Sequence, residues 1–232
     1  MSRSQRPDAS TLLKSLQTIG LLRGLAPAVL AELAQAAIWR EYAPGALVFL
    51  EGEAAAALYY LEFGWLKVIK SSLDGREQIL RFVSPGEIFN EIGVFANRPN
   101  PATVVALEAA GVWLMPRLVL QNLLKTHTDV ALHVIENMAE RIIYLVSLVA
   151  DLSLHSVETR IARMVLEDAE GDVLHRQRWA TQAELASRLG TVPDVLSRAL
   201  RGLVDAGLIT MDRHEIRILQ RQALETLALA KE

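Results

Sequence analysis

The spacing of apolar residues changes character along this chain. Leu12, Leu16 and Ile19, then Leu30, Leu33 and Ala37, fall three or four apart and predict a short helical lead-in, broken at Gly24-Leu25-Ala26-Pro27. From Tyr42 the apolar runs shorten and glycines recur at 45, 52, 64, 75, 86 and 93, the turn signals of an all-β barrel or roll. β-Branched and aromatic residues place strands at Leu47–Leu50, Leu58–Glu62, Trp65–Ser71, Glu77–Ser84, Thr103–Leu107 and Val112–Met115. Asp74-Gly75 is a hairpin turn, because a positive φ costs little there.

After Arg117 the helical period returns. Ile135, Met138, Ile142, Leu145, Val149 and Leu152 alternate three and four apart, a seam of period 3.5 that calls for a second helix and predicts a homodimer interface. The alternative, packing on the chain's own β domain, calls for a broader stripe. Glu136, Glu140 and Arg141 lie off the seam and keep its flanks soluble. Asp151 to Ser156 reads as a hinge. Ser156 is placed to cap a new amphipathic helix over residues 157–169, with Ile161, Met164, Val165 and Leu166 on its apolar side.

Thr181-Gln182-Ala183-Glu184 is a capping box that starts a helix at a defined residue. That helix stops at Gly190, and a second runs from about Val192 or Pro193 to Ala206, ended by Gly207. Two short helices joined by a glycine turn make a helix-turn-helix. Val195, Leu196, Ala199, Leu200 and Leu203 form the buried face of the second helix, and Asp194, Ser197, Arg198 and Arg201 the opposite one. Arginine pairs with guanine, a carboxylate accepts from cytosine and serine adapts, so this face can read base edges. A solvated charged face has the same composition; the position within a helix-turn-helix favours recognition. Residues 207–219 alternate about a polar turn as a wing, and Arg188, Arg213 and Arg217, with Thr181 at the helix start, are placed to meet phosphates.

Composition narrows the function. With 232 residues, 51% hydrophobic and 22% charged, the chain has room for two modest folded domains. No apolar stretch reaches the length of a bilayer span, and Met1–Ser10 lacks the apolar core of a signal peptide, so a cytoplasmic protein without membrane contact is expected. The absence of cysteine excludes disulfides and cysteine-held iron–sulfur clusters. The five histidines show no metal-binding spacing, and no metal site is expected. No nucleophile with a paired base and no phosphate-cradling glycine loop points to an enzyme. A net charge of −3 requires that DNA affinity come from a local basic patch, with Glu167, Asp168, Glu170 and Asp172 set away from it.

With these residues in place, the chain resembles the Crp/Fnr family of bacterial regulators over roughly residues 15 to 220. Pro44-Gly45, Leu50-Glu51-Gly52-Glu53, Leu58-Tyr59-Tyr60-Leu61, Gly64 and Asp74-Gly75-Arg76-Glu77 are similar to the opening of that family's cyclic-nucleotide-binding β-roll. Asn90-Glu91-Ile92-Gly93-Val94-Phe95 resembles the start of its phosphate-binding cassette, and Leu152-Ser153-Leu154 with Arg160-Ile161-Ala162 its hinge. The resemblance implies an α+β fold: a jelly-roll-like β-roll sensor domain (1–117), a long dimerisation helix (118–152) and a C-terminal winged helix-turn-helix (153–232).

It also implies an effector pocket around Asn90, Glu91, Ile92, Gly93, Ala102 and Thr103. Glu91 either holds a ribose hydroxyl or caps a turn. Where cyclic-AMP binders carry an arginine followed by serine or threonine, this chain has Pro101-Ala102, and proline cannot replace a forked phosphate contact. Cyclic AMP is therefore not the expected effector; Arg98, three positions earlier, is the alternative cation. Cysteine-free relatives sense through haem, with no histidine here identified as a ligand.

Asp194-Val195-Leu196-Ser197-Arg198 is similar to the Glu-x-x-Ser-Arg of Fnr-like members, one methylene shorter at Asp194. This implies a palindromic, TTGA-like site in double-stranded DNA, with Arg198 on guanine and Ser197 near thymine, and RNA polymerase as a further partner. The competing expectation is a ligand-binding or interaction module whose winged helix contacts protein.

Overall fold

The computed structural model describes residues 7–22 and 24–229, so part of the Met1–Ser10 segment lies outside the described residues. Contacts divide the chain into two units, residues 1–70 with 81–143 and residues 71–80 with 144–232.

Proline at a first helical position surrenders an amide hydrogen that would have no partner there. Pro27 accordingly opens α2 (Pro27–Ala36), which follows α1 (Ala9–Thr18) and a 3₁₀ turn at Gly20–Leu22. Eight strands come next: β1 (Ile38–Tyr42), β2 (Leu47–Phe49), β3 (Ala57–Phe63), β4 (Leu66–Ser71), β5 (Glu77–Val83), β6 (Ile88–Phe89), β7 (Thr103–Ala106) and β8 (Ala110–Pro116). They form two four-stranded sheets of order β1-β8-β3-β6 and β2-β7-β4-β5. A short helix, α3 (Glu91–Phe95), separates β6 from β7.

β3 and β8 are buried on both faces. Tyr59, Leu61, Val112 and Leu114 join Phe49, Phe89 and Val104 in the core of the roll. The alternate residues Leu58, Tyr60, Trp113 and Met115 join Leu12, Leu16, Leu30 and Leu33 of the lead-in. Double burial removes the alternation that betrays a strand in sequence. β1 and β6 were not expected: β6 has two residues, and β1 carries Arg40 and Glu41 in its exposed pattern.

The single helix expected over 118–152 is two helices. α4 (Arg117–Thr126) buries Leu120 and Leu123 and ends where Thr126 Oγ1 donates to the carbonyl of Leu123 at 3.1 Å. His127 is extended, and α5 then runs from Thr128 to Leu154. The apolar residues expected on the seam of α5 differ in exposure. Met138 packs against the lead-in core, and Leu145 and Leu152 are half-buried. Leu132, Ile135, Ile142, Val146 and Val149 are between 61% and 64% exposed, with Ala139 completing the same three-four alternation, and Ile143 and Leu154 are bare beside them.

The second unit takes the end of α5 and adds α6 (Val157–Asp168), β9 (Val173–His175), α7 (Gln182–Arg188), α8 (Pro193–Asp205), β10 (Ile209–Met211), β11 (Glu215–Ile218) and α9 (Arg221–Leu229). Ser156 caps α6 as expected, accepting from the Thr159 amide at 3.2 Å, a cap worth about 1 kcal/mol. The wing is a three-stranded sheet of order β10-β11-β9; β9 was missed. Ile161, Val165, Leu196, Leu200, Leu203, Ile209, Ile216 and Leu224 meet in one core.

Candidate functional site

Thr181 starts α7 by accepting from the Glu184 amide at 3.2 Å. α8 begins with Pro193 at its first turn and buries Leu196, Ala199, Leu200 and Leu203, with Val195 half-buried. That burial fixes which face remains outside. Asp194, Arg198 and Arg201 are exposed, and Ser197 is half-buried, its hydroxyl donating to Gln182 Oε1 at 2.6 Å. Arg201 Nε donates to the Ser197 carbonyl at 3.3 Å. Arg198 has no hydrogen-bond or ion-pair partner among the described residues. Gln182 escaped the sequence reading because its only signal was its place in the capping box.

Of the expected phosphate contacts, Arg213 stands exposed at the tip of the wing. The turn beneath it is held by Asp212, whose carboxylate accepts from the amides of His214 at 2.6 Å and Glu215 at 2.8 Å. Those two amides hold the Asp212 carboxyl below its usual range. Arg217 is paired along its own strand with Glu215 at 2.7 Å and remains half-exposed.

Arg188 requires a correction. Both ends of its guanidinium engage Asp168 of α6, Nη2 at 3.1 Å. Burial works against its charge, and the hydrogen bonds and charge of Asp168 outweigh burial, so its pKa is raised. Asp168 therefore does not stand apart from the basic residues; it occupies one of them. Exposed Arg178, in the approach to α7, is a further cation that the sequence reading passed over.

In the first unit a cavity of about 50 Å³ brings together Asn90, Glu91, Ile92 and Ala102, beside Pro101, Arg81 and Arg141. Gly93, Arg98 and Thr103 do not line it. Gly93 is buried, with room for no side chain beside Ala55; Thr103 Oγ1 accepts from the Glu51 amide at 3.0 Å; Arg98 is exposed. Asn90 adopts φ 72° and donates to Ala57 O at 3.1 Å and Asn100 Oδ1 at 3.0 Å. Arg81 donates to the Ile88 carbonyl at 2.8 Å, and only 12% of its side chain is exposed. One signal could have found it: Ile79, Arg81 and Val83 share a strand face, and both apolar neighbours are buried. Arg141, read as a solubilising flank, is half-buried at the same cavity.

The sequence matches the cyclic nucleotide-binding domain family over residues 39–127 and the Crp-like helix-turn-helix domain over residues 159–227. The chain belongs to the Crp/Fnr family of transcription regulators. It is 25% identical over 215 residues to the CRP-like cAMP-activated global transcriptional regulator of Mycobacterium tuberculosis, covering 90% of this chain and 96% of that one. It is 26% identical to the cyclic AMP receptor protein of Thermus thermophilus, again over 90% and 96% of the two chains. FixK2 from Bradyrhizobium japonicum shares the fold, with a TM-score of 0.74 at 23% identity over 84% of this chain and 98% of that one. This Crp/Fnr chain is thus a transcriptional regulator with a helix-turn-helix DNA-binding domain. No helix among the described residues is long and apolar enough to cross a membrane.

Proposed function

We propose that the protein works as a homodimer that places two α8 helices in successive major grooves of a palindromic, TTGA-like DNA site. The observation that carries this reading is the outer face of α8, where Arg198 projects from a buried helix with its guanidinium unengaged among the described residues, between exposed Asp194 and Arg201. A guanidinium held on a rigid helix and free of ion pairs is suited to a bidentate contact with guanine. Ser197, oriented by Gln182, lies beside it for thymine. Arg213, Arg217 and Arg178 supply phosphate contacts, the local positive field that the net charge of −3 withholds. The bare stripe from Leu132 to Val149 is the dimer seam.

The roll acts as the sensor, with an effector other than cyclic AMP, and RNA polymerase is the partner at the promoter. Two observations support an altered effector. Pro101 and Ala102 line the cavity where a forked phosphate contact is needed, and Arg81 is already engaged with Ile88. The cavity, at about 50 Å³, is also well below the few hundred Å³ of usual small-molecule sites. Effector binding would act by shifting a pre-existing equilibrium.

Fluorescence anisotropy of labelled DNA against salt tests the reading. Phosphate contacts make affinity fall steeply as salt rises. Affinity that does not respond to salt, or binding that is absent with DNA and present with a protein partner, would favour the interaction-module alternative.

A further inference from the structure

We propose that a second cavity in the first unit binds a small organic polycation, an aliphatic polyamine. The cavity, of about 390 Å³, is walled by the end of α1 with the 3₁₀ turn, the β5–β6 loop, α3 and α5. Its volume falls within the range of small-molecule sites, several times that of the cavity at Pro101. Four carboxylates, Glu87, Glu91, Glu136 and Glu140, face one guanidinium, that of Arg81.

Two of the carboxylates are satisfied from within. Glu87 accepts from the Ser84 amide at 2.6 Å and lies 3.5 Å from Arg81; Glu136 lies 3.2 Å from His133 Nδ1. Glu91 differs. It is 7% exposed, bounds the cavity, and has neither a hydrogen bond nor an ion pair among the described residues. The residue has little contact with bulk water, and the cavity is the route by which a countercharge can reach its carboxylate.

The arrangement selects the class of cation. The carboxylates sit on three different elements and are spread along the wall, and among the described residues no three His, Asp or Glu side chains are grouped to hold a metal ion. Spaced ammonium groups match spaced carboxylates. Ile19, Leu21 and Ile88 offer apolar surface for the methylenes between them.

The test is isothermal titration calorimetry of spermidine into the full chain without DNA. Saturable binding of one molecule per protomer is expected. Glu91→Gln should weaken it by about tenfold or more, as loss of a partner for a desolvated charge does, and Glu140→Gln by about two- to fivefold, the scale of an exposed pair. Glu225→Gln, on the distant α9, should leave it unchanged. Glu140 is exposed, so E140Q keeps the test open should E91Q fail to fold. No saturable heat at millimolar spermidine, equal binding by E140Q, or complete displacement by magnesium at equal charge would overturn the proposal.

Discussion

Leu152, near the end of α5, lies so close to Gly190 of the helix-turn-helix that a Cβ on that glycine would stand 2.4 Å from Leu152 Cδ2. Gly190 also has φ +60°, the left-handed region that disfavours other residues. Around this contact Arg160 donates to the Leu189 carbonyl and Arg163 pairs with Asp151. The turn between α7 and α8 is thus braced by the last turns of α5 and by α6. Gly190→Ala should destabilise the protein by roughly 1–3 kcal/mol, read as a lowered midpoint in urea. An unchanged midpoint would mean that Leu152 yields without cost.

Arg188 and Arg213 both read as DNA contacts in the sequence, and the structure separates them: Arg213 is exposed, and Arg188 is paired with Asp168. Arg213→Ala should lower the slope of log affinity against log salt by about 1, the signature of one lost phosphate contact. Arg188→Ala should leave that slope unchanged and instead reduce stability, because Asp168 then loses its partner. A wild-type slope for Arg213→Ala would show that the wing does not reach the backbone, and a lowered slope for Arg188→Ala would show that the Asp168 pair opens on DNA.

On α5, Ile142→Glu should convert the proposed dimer to a monomer in sedimentation equilibrium, since it sets a charge in the middle of the bare stripe. Met138→Ala should lower stability without changing the oligomeric state, because Met138 packs on its own lead-in core. A dimeric I142E variant would place the interface elsewhere.

The wing turn carries a pH dependence. The Asp212 carboxyl is held below its ordinary value of 3.8 by the amides of His214 and Glu215. A depressed folded-state pKa gives stability that is full above the unfolded value and is lost as pH falls through the folded one. The His214 and Glu215 amide resonances should therefore show a step below about pH 4 that is absent in Asp212→Asn. The same step below about pH 4 in D212N would assign the turn to another group.

The winged helix was legible because its signals are local. A capping box, a glycine turn and one-sided apolar spacing each act within a few residues, and Thr181, Gly190 and Leu196 stand where that spacing puts them. The bare stripe of α5 was half legible. Ile135, Ile142 and Val149 belong to two overlapping stripes of the same period, one continued by Met138, Leu145 and Leu152 and the other by Leu132, Ala139 and Val146. Periodicity cannot rank them; tertiary packing does, by drawing Met138 onto the lead-in core and Leu152 onto Gly190. The cavities were the least legible, because Arg81 is far in sequence from the adjacent Glu140 and Arg141, and each reads alone as a surface charge. Arg188 misled for the same reason: its partner Asp168 lies twenty residues away.

Specific DNA recognition by α8 can be read from selection out of a randomised DNA pool with wild-type protein and Arg198→Ala. The wild type should enrich a palindrome whose half-sites, one helical turn or about 34 Å apart, contain TTGA. R198A should lose preference at the guanine, by roughly 1–3 kcal/mol, while its fold is intact. Enrichment of the same sequence to the same degree by both proteins would contradict the account.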